Sequence, residues 1–125
     1  MPYKHTWEPY GIYRKFDGEL TGKEFLQAVQ EVEGDSRFDS IRYVINDYLD
    51  TANIEISTNE VNLIAAIDNA AYISNPNIVI AQVTTNPIME KIIAIYTQTP
   101  VKSPYLSINF SYLEEAREWI HKNTS

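Results

Sequence analysis

The hydrophobic pattern of this 125-residue chain predicts three strands after residue 40. Residues 41–45 and 78–83 are nearly continuous apolar runs, which is typical of parallel strands covered on both faces. Residues 106–110 instead alternate apolar with polar side chains. This alternation predicts a strand with one buried face, closer to an edge of the sheet.

Between the apolar runs, four segments carry the signals of a helix start. Three have a hydroxyl residue followed three positions later by Glu, the pattern of a reciprocal capping box, and one has an Asn-Pro pair. The four starts are Thr21, Ser57, Asn86 and Ser111. The helix from Ser57 is apolar around most of its circumference, so we expect it to be heavily buried. The pair Asn75-Pro76 is expected to end it.

Two strand-like pieces, residues 3–7 and 10–16, precede the first helix and are joined by Glu8-Pro9. They predict a hairpin closed by Asp17-Gly18. The resulting order β-β-α-β-α-β-α-β-α predicts an α/β fold in which a mainly parallel sheet carries an N-terminal antiparallel hairpin and about four helices. The chain has the length of one core, so we expect a single domain over residues 1–125.

Composition and charge narrow the function classes. The chain contains ten Lys and Arg and seventeen Asp and Glu. The resulting net charge of -7 opposes attraction to nucleic acid or to an anionic lipid surface. The chain has no cysteine, so disulfides, thiol catalysis and thiolate metal sites are excluded. The first residues lack the pattern of a signal peptide, and no apolar run is long enough to span a bilayer. We therefore expect a cytoplasmic protein without a membrane span.

An acidic segment follows the first central strand, at the position where open α/β sheets place their functional crevice. Asp47 and Asp50 lie three residues apart there, and Glu55 follows before the next helix. Carboxylates in this arrangement could hold Mg²⁺ or act as acid and base. They could equally cap turns by accepting bonds from backbone amides, and no His, Lys or glycine loop accompanies them. We therefore predict no metal site and no cofactor.

Ser57 and the adjacent Thr58 form the second candidate site. A serine hydroxyl at a helix N-terminus is a good cap and also an accessible target for phosphorylation. Asp68 and Asn69 lie within the same helix, and we interpret them as its narrow solvent-facing strip. The chain contains no phosphate-cradling glycine motif and no nucleophile elbow. The absence of these motifs favours a protein that is not an enzyme.

The layout resembles STAS-type, SpoIIAA-like domains, the family of the anti-sigma-factor antagonists, and in particular a bacterial STAS or CRAL-TRIO-like offshoot. The resemblance covers most of the chain and is carried by several segments. They are Gly18-Glu19-Leu20-Thr21, Asp35-Ser36-Arg37-Phe38-Asp39, Arg42-Tyr43-Val44-Ile45-Asn46-Asp47, Ile67-Asp68-Asn69-Ala70-Ala71 and Leu113-Glu114-Glu115-Ala116-Arg117-Glu118-Trp119-Ile120. The family carries an aspartate at the end of a central strand, which Asp47 matches. Its phosphorylated serine lies in a D-S-S-G turn that corresponds to Glu55-Ile56-Ser57-Thr58, where Ile56 and Thr58 differ.

The resemblance implies a non-catalytic module that regulates through protein–protein interaction or binds a small ligand. Ser57, Thr58, Asp47, Asp50 and Glu55 are then the switch or interaction residues. Two alternatives remain open at this point. The chain could carry a lipid-like or apolar small molecule, or it could be a small enzyme that uses Asp47, Asp50 or Glu55. Homodimerisation through the hairpin or a sheet edge also remains open.

Overall fold

A computed structural model describes residues 3–98 and 104–124. One five-stranded sheet forms the centre. Its strands are β1 (Tyr3–Glu8), β2 (Gly11–Thr21), β3 (Tyr43–Glu55), β4 (Val79–Val83) and β5 (Leu106–Phe110). The helices are α1 (Gly22–Glu33), α2 (Thr58–Ser74), α3 (Pro87–Gln98) and α4 (Leu113–Thr124), with a 3-10 helix at Ser36–Ser40.

The strands lie side by side in chain order, β1-β2-β3-β4-β5. The β1–β2 pair is antiparallel and the other three pairs are parallel. Parallel strands added in one direction with right-handed crossovers place every connecting helix on the same face of the sheet. Accordingly α1, α2 and α3 share one core, while α4 packs on the opposite face. The predicted α/β fold is confirmed.

The β3 strand is longer than the sequence pattern indicated. We expected it to end near Ile45, but it continues to Glu55 because its second half pairs with the second half of β2. The β2 strand likewise runs past Asp17-Gly18, the pair that was expected to close the hairpin. Pairing with β4 ends at Asp47. Beyond Asp47, therefore, the acidic segment is part of a strand and not a loop.

The two faces of the sheet have separate cores. On the face of α1, α2 and α3, the Phe16 ring stacks between those of Phe25 and Tyr48, with centroid distances of 5.2 and 5.1 Å. On the other face, α4 packs Ala116 and Ile120 against the small and branched side chains of β3 and β4. The α4 helix packs on β3, β4 and β5, and its Arg117 reaches the β1–β2 part of this face, where it pairs with Glu8 at 2.8 Å and lies over the Tyr13 ring.

Helix α2 is less buried than its apolar composition predicted. Val61, Ile64 and Ala65 face the core, but Leu63 is 47% exposed and Ile73 is 86% exposed. The reason is that all three crossover helices lie on one face, so the outer side of α2 has no neighbour within the described part of the chain. Asn75 ends the helix as expected.

Candidate functional site

The start of α2 places Ser57 on the surface in a complete capping box. The Ser57 hydroxyl accepts from the Glu60 amide at 3.1 Å, and the Ser57 amide donates to the Glu60 carboxylate at 2.9 Å. Glu60 also lies against the start of α1, since a Cβ on Gly22 would come within 2.1 Å of its carboxyl group. The predicted cap is confirmed, and Ser57 and Thr58 are both exposed.

Two of the three candidate carboxylates have partners of their own. Asp47 is buried, accepts from the Tyr13 hydroxyl, and accepts from the Leu49 amide at 3.0 Å. Burial and this bond to Asp47 raise the pKa of Tyr13 above its usual range. Asp50 is exposed and forms an ion pair of 2.8 Å with Lys15 of the neighbouring strand.

The structure does not bring the three carboxylates together. Glu55 is exposed at the far end of β3, and the rise of a strand separates it from Asp47 by about 26 Å. Within residues 3–98 and 104–124, no group of three or more His, Asp or Glu side chains could hold a metal ion. None of the helices in these ranges has the length and hydropathy that a bilayer span requires.

The end of the sheet at which the parallel strands finish, here called the carboxyl edge, exposes large apolar side chains. Leu49 in β3 is 40% exposed, Ile88 at the start of α3 is 53% exposed, and Tyr112 before α4 is 67% exposed. Leu49 and Tyr112 line the same surface depression. Glu114 and Glu115 line the same depression.

The sheet face under α1, α2 and α3 carries a buried polar row that the sequence analysis missed. Arg14, Asn46 and Gln82 are register partners on β2, β3 and β4, and all three are buried. Arg14 Nε donates to Asn46 Oδ1 at 2.8 Å, and Asn46 Nδ2 donates to Gln82 Oε1 at 3.0 Å. The Tyr48 hydroxyl donates to the same Gln82 oxygen at 3.0 Å. Gln82 lies between apolar neighbours in β4, which indicates a buried polar group in that strand but not that Arg14 and Asn46 lie beside it.

Asp68 faces this row from α2, so its interpretation as part of a solvent-facing strip is wrong. It is 7% exposed and accepts from the Tyr96 hydroxyl, while Asn69 beside it is exposed. Asp68 follows Val61, Ile64 and Ala65 at helical spacing, which places it on the buried stripe. Burial raises the pKa of Asp68. Burial, together with a hydrogen bond to Asp68, also raises the pKa of Glu33 to about 9, so the two carboxyl groups share a proton near neutral pH.

A cavity lies between the polar row and helices α2 and α3. Its volume is about 40 Å³, which is room for a few water molecules. Arg14, Asn46, Gln82 and Asp68 line its floor, and apolar side chains line its walls. A lipid chain is far larger than this space.

Comparisons with known proteins find similarity of structure. No protein-family model matches the chain, and a search of curated proteins finds no significant match. The anti-sigma factor antagonist SpoIIAA in its unphosphorylated form superposes with a TM-score of 0.63 at 9% identity, over 95% of this chain and 97% of that one. The Bacillus cell fate determinant SpoIIAA in the phosphorylated form gives a TM-score of 0.58 at 12% identity, over 94% and 98% of the two chains. The chain has the SpoIIAA-like fold that its layout predicted.

Proposed function

We propose that this chain is a non-catalytic regulatory module that binds a partner protein through the carboxyl edge of its sheet. The observation that carries the proposal is the pair of exposed apolar side chains Leu49 and Tyr112, which line one depression at that edge. Exposed apolar side chains with a polar rim are typical of protein interaction sites. Its fold, shared with an anti-sigma factor antagonist, supports the same class of function. We place the module in the cytoplasm, since a chain without cysteine is suited to a reducing compartment.

The charge around the edge defines the chemistry of the partner. Glu114 and Glu115 lie beside Leu49 and Tyr112 in the same depression. Lys15 on the neighbouring strand is already paired with Asp50. A complementary surface has an apolar centre and a rim of Lys and Arg. Such charge complementarity speeds association and excludes partners of the wrong charge.

The interaction is tested by affinity capture from the cells in which the protein is native. We expect the double variant Leu49→Asn, Tyr112→Ser to lose at least about tenfold of the captured partner, because the centre of an interface carries most of its binding energy. Ile73→Asn is the matched control, since Ile73 is an exposed apolar residue at the other end of α2. Equal recovery with the double variant and the control would exclude the carboxyl edge as the binding surface.

Phosphorylation of Ser57 is proposed to regulate partner binding at this surface. A phosphate there would gain from the positive end of the α2 dipole but would repel the Glu60 carboxylate, which accepts from the Ser57 amide. We expect mass spectrometry of the native protein to find phosphate on Ser57. We also expect Ser57→Asp to lower partner capture at least about threefold relative to Ser57→Asn.

The comparison of these two variants isolates charge from capping, because Asp and Asn are equally good N-caps. Equal capture by both variants, together with an unmodified Ser57 under all growth conditions, would remove the switch from the proposal. The proposal that the carboxyl edge binds the partner would be unaffected, because the capture experiment with the double variant tests it separately.

A further inference from the structure

Four apolar side chains form a stripe along the outer side of α2, here called the outer stripe. They are Leu63, Ala66, Ala70 and Ile73. All four are exposed, Leu63 by 47% and Ile73 by 86%. The buried residues of the helix lie about half a turn away from the stripe. They are Val61, Ile64, Ala65 and Asp68. The outer stripe therefore faces directly away from the core of its own chain.

The outer stripe lies in an uncharged surface, although the chain as a whole is acidic. Every exposed residue of α2 is uncharged. Of its two carboxylates, Asp68 is buried and Glu60 accepts from the Ser57 amide at the start of the helix. The other three helices expose charged side chains, among them Lys23 in α1, Glu90 in α3 and Glu118 in α4. Two copies of a chain with a net charge of -7 repel each other, so this uncharged face is where a second copy can approach at the lowest electrostatic cost.

The order of large and small side chains along the outer stripe reads the same from both ends. Leu63 and Ile73 lie at the two ends, and two alanines lie between them. Their spacing of three, four and three residues is the a/d pattern of a coiled-coil seam. When a second copy lies antiparallel to the first, Leu63 meets Ile73 of the second copy and alanine meets alanine. A twofold interface requires this self-complementarity, because each residue pair occurs twice with the roles exchanged.

The size of the side chains and of the helix defines the kind of dimer. The alanines at the centre let the two helix axes approach to about 8 Å, the lower end of the usual range. The helix has 17 residues and is therefore about 25 Å long. One pair of such helices buries less area than a typical permanent interface. We therefore expect a dimer that exchanges with the monomer, with a dissociation constant on the order of 10–100 µM.

We propose that two copies of this chain associate through antiparallel packing of their α2 helices, with Ala66 and Ala70 beside the twofold axis. The inference goes beyond the proposed partner interaction, which uses Leu49 and Tyr112 at the carboxyl edge. We expect Ile73→Asn to dissociate the dimer but to leave partner capture unchanged. The double variant at the carboxyl edge is expected to do the reverse, so the two proposals fail independently.

Sedimentation velocity of the whole chain, from about 5 to 500 µM, tests the association. We expect the mass to rise from one chain to two over this range, and Ile73→Asn to weaken the dimer at least about tenfold. Leu106→Asn is the matched control, since Leu106 is 53% exposed on the edge strand β5. A chain that stays monomeric throughout would overturn the proposal. So would a dimer that Leu106→Asn dissociates and Ile73→Asn does not.

The response to salt separates an uncharged interface from one held by ion pairs. Sodium chloride screens the repulsion between the two acidic copies. We therefore expect the dimer to become at least about twofold tighter when the salt is raised from about 50 to 500 mM. A dimer that weakens over the same range would be held by ion pairs, and this result would exclude the outer stripe.

Introduced cysteines report the orientation of the helices, because the chain contains none of its own. In the antiparallel pair, residue 63 of one copy lies opposite residue 73 of the other. Two copies of residue 63 are instead about 15 Å apart along the helix axis, which is too far for a disulfide. Under mild oxidation, we expect a mixture of Leu63→Cys and nitrogen-15-labelled Ile73→Cys to form the mixed disulfide at least about tenfold faster than either variant links to itself. Self-linking at an equal or higher rate would overturn the antiparallel arrangement.

Discussion

Replacing Asn75 by alanine is expected to lower the free energy of unfolding by about 3–5 kcal/mol, because two backbone carbonyls and one backbone amide would each lose a side-chain hydrogen bond. The Asn75 amide nitrogen donates to the carbonyls of Phe38 and Ile41 at 2.8 and 2.9 Å. Its oxygen accepts from the Asn77 amide at 3.1 Å. The side chain thus fastens the end of α2 to the segment that enters β3.

Urea denaturation followed by circular dichroism would measure this effect. Asn77→Ala is the matched control, because the Asn77 side chain is exposed and only its backbone amide takes part in the bond. We expect the control to remain within about 0.5 kcal/mol of the wild type. A loss below about 1 kcal/mol for Asn75→Ala would contradict the proposed role.

The proton shared by Glu33 and Asp68 is expected to make the protein less stable as the pH rises from 6 to 9. The folded chain holds this proton up to a pKa of about 9 for Glu33, whereas the unfolded chain releases it near the ordinary value of 4.5. Between these two values the folded state binds more protons, so stability falls with rising pH and becomes level above the upper one. The charged and titratable groups that act on the pair are Arg14 from β2, Tyr48 from β3, Tyr96 from α3 and Tyr105 from the segment before β5.

Glu33→Gln keeps a hydrogen-bond donor toward Asp68 but has no proton to lose. We expect the wild-type Tm to fall by at least about 4 °C between pH 6 and pH 9, and the variant to lose less than half of that. Glu118→Gln on the exposed side of α4 is the control and should follow the wild type. Parallel Tm curves for Glu33→Gln and the wild type would show that the pair does not hold the proton.

The parts of the fold that depend on local chemistry could be predicted from the sequence. The capping boxes at Thr21 and Ser57 need only residues within one helical turn, and both form as expected. The extension of β3 could not be predicted in this way. Its polar second half is a strand because residues 17–21 of β2 pair with it, and this partner lies far away in the sequence.

The same distinction between local and long-range causes holds for the candidate site. The position of Ser57 followed from its helix, but the environment of Asp68 depends on Glu33 from α1 and Tyr96 from α3. The polar row depends in turn on the register of three strands. Arg14 alone in β2 gives no sign that Asn46 and Gln82 lie beside it. Periodicity within one element indicates burial, whereas the partner of a buried polar group is fixed by the tertiary structure.

The agreement between chain order and strand order has a consequence for synthesis on the ribosome. Each strand of the sequence β1-β2-β3-β4-β5 pairs beside the one made before it, so no strand has to be inserted between two that are already paired. The hairpin can form first, and the growing sheet then gains one strand and one helix at a time, as domains do when they fold from the N-terminus during translation. Until β5 and α4 have emerged, the face of β3 and β4 that α4 covers stays open. The nascent chain is therefore most exposed to aggregation just before α4 leaves the ribosome.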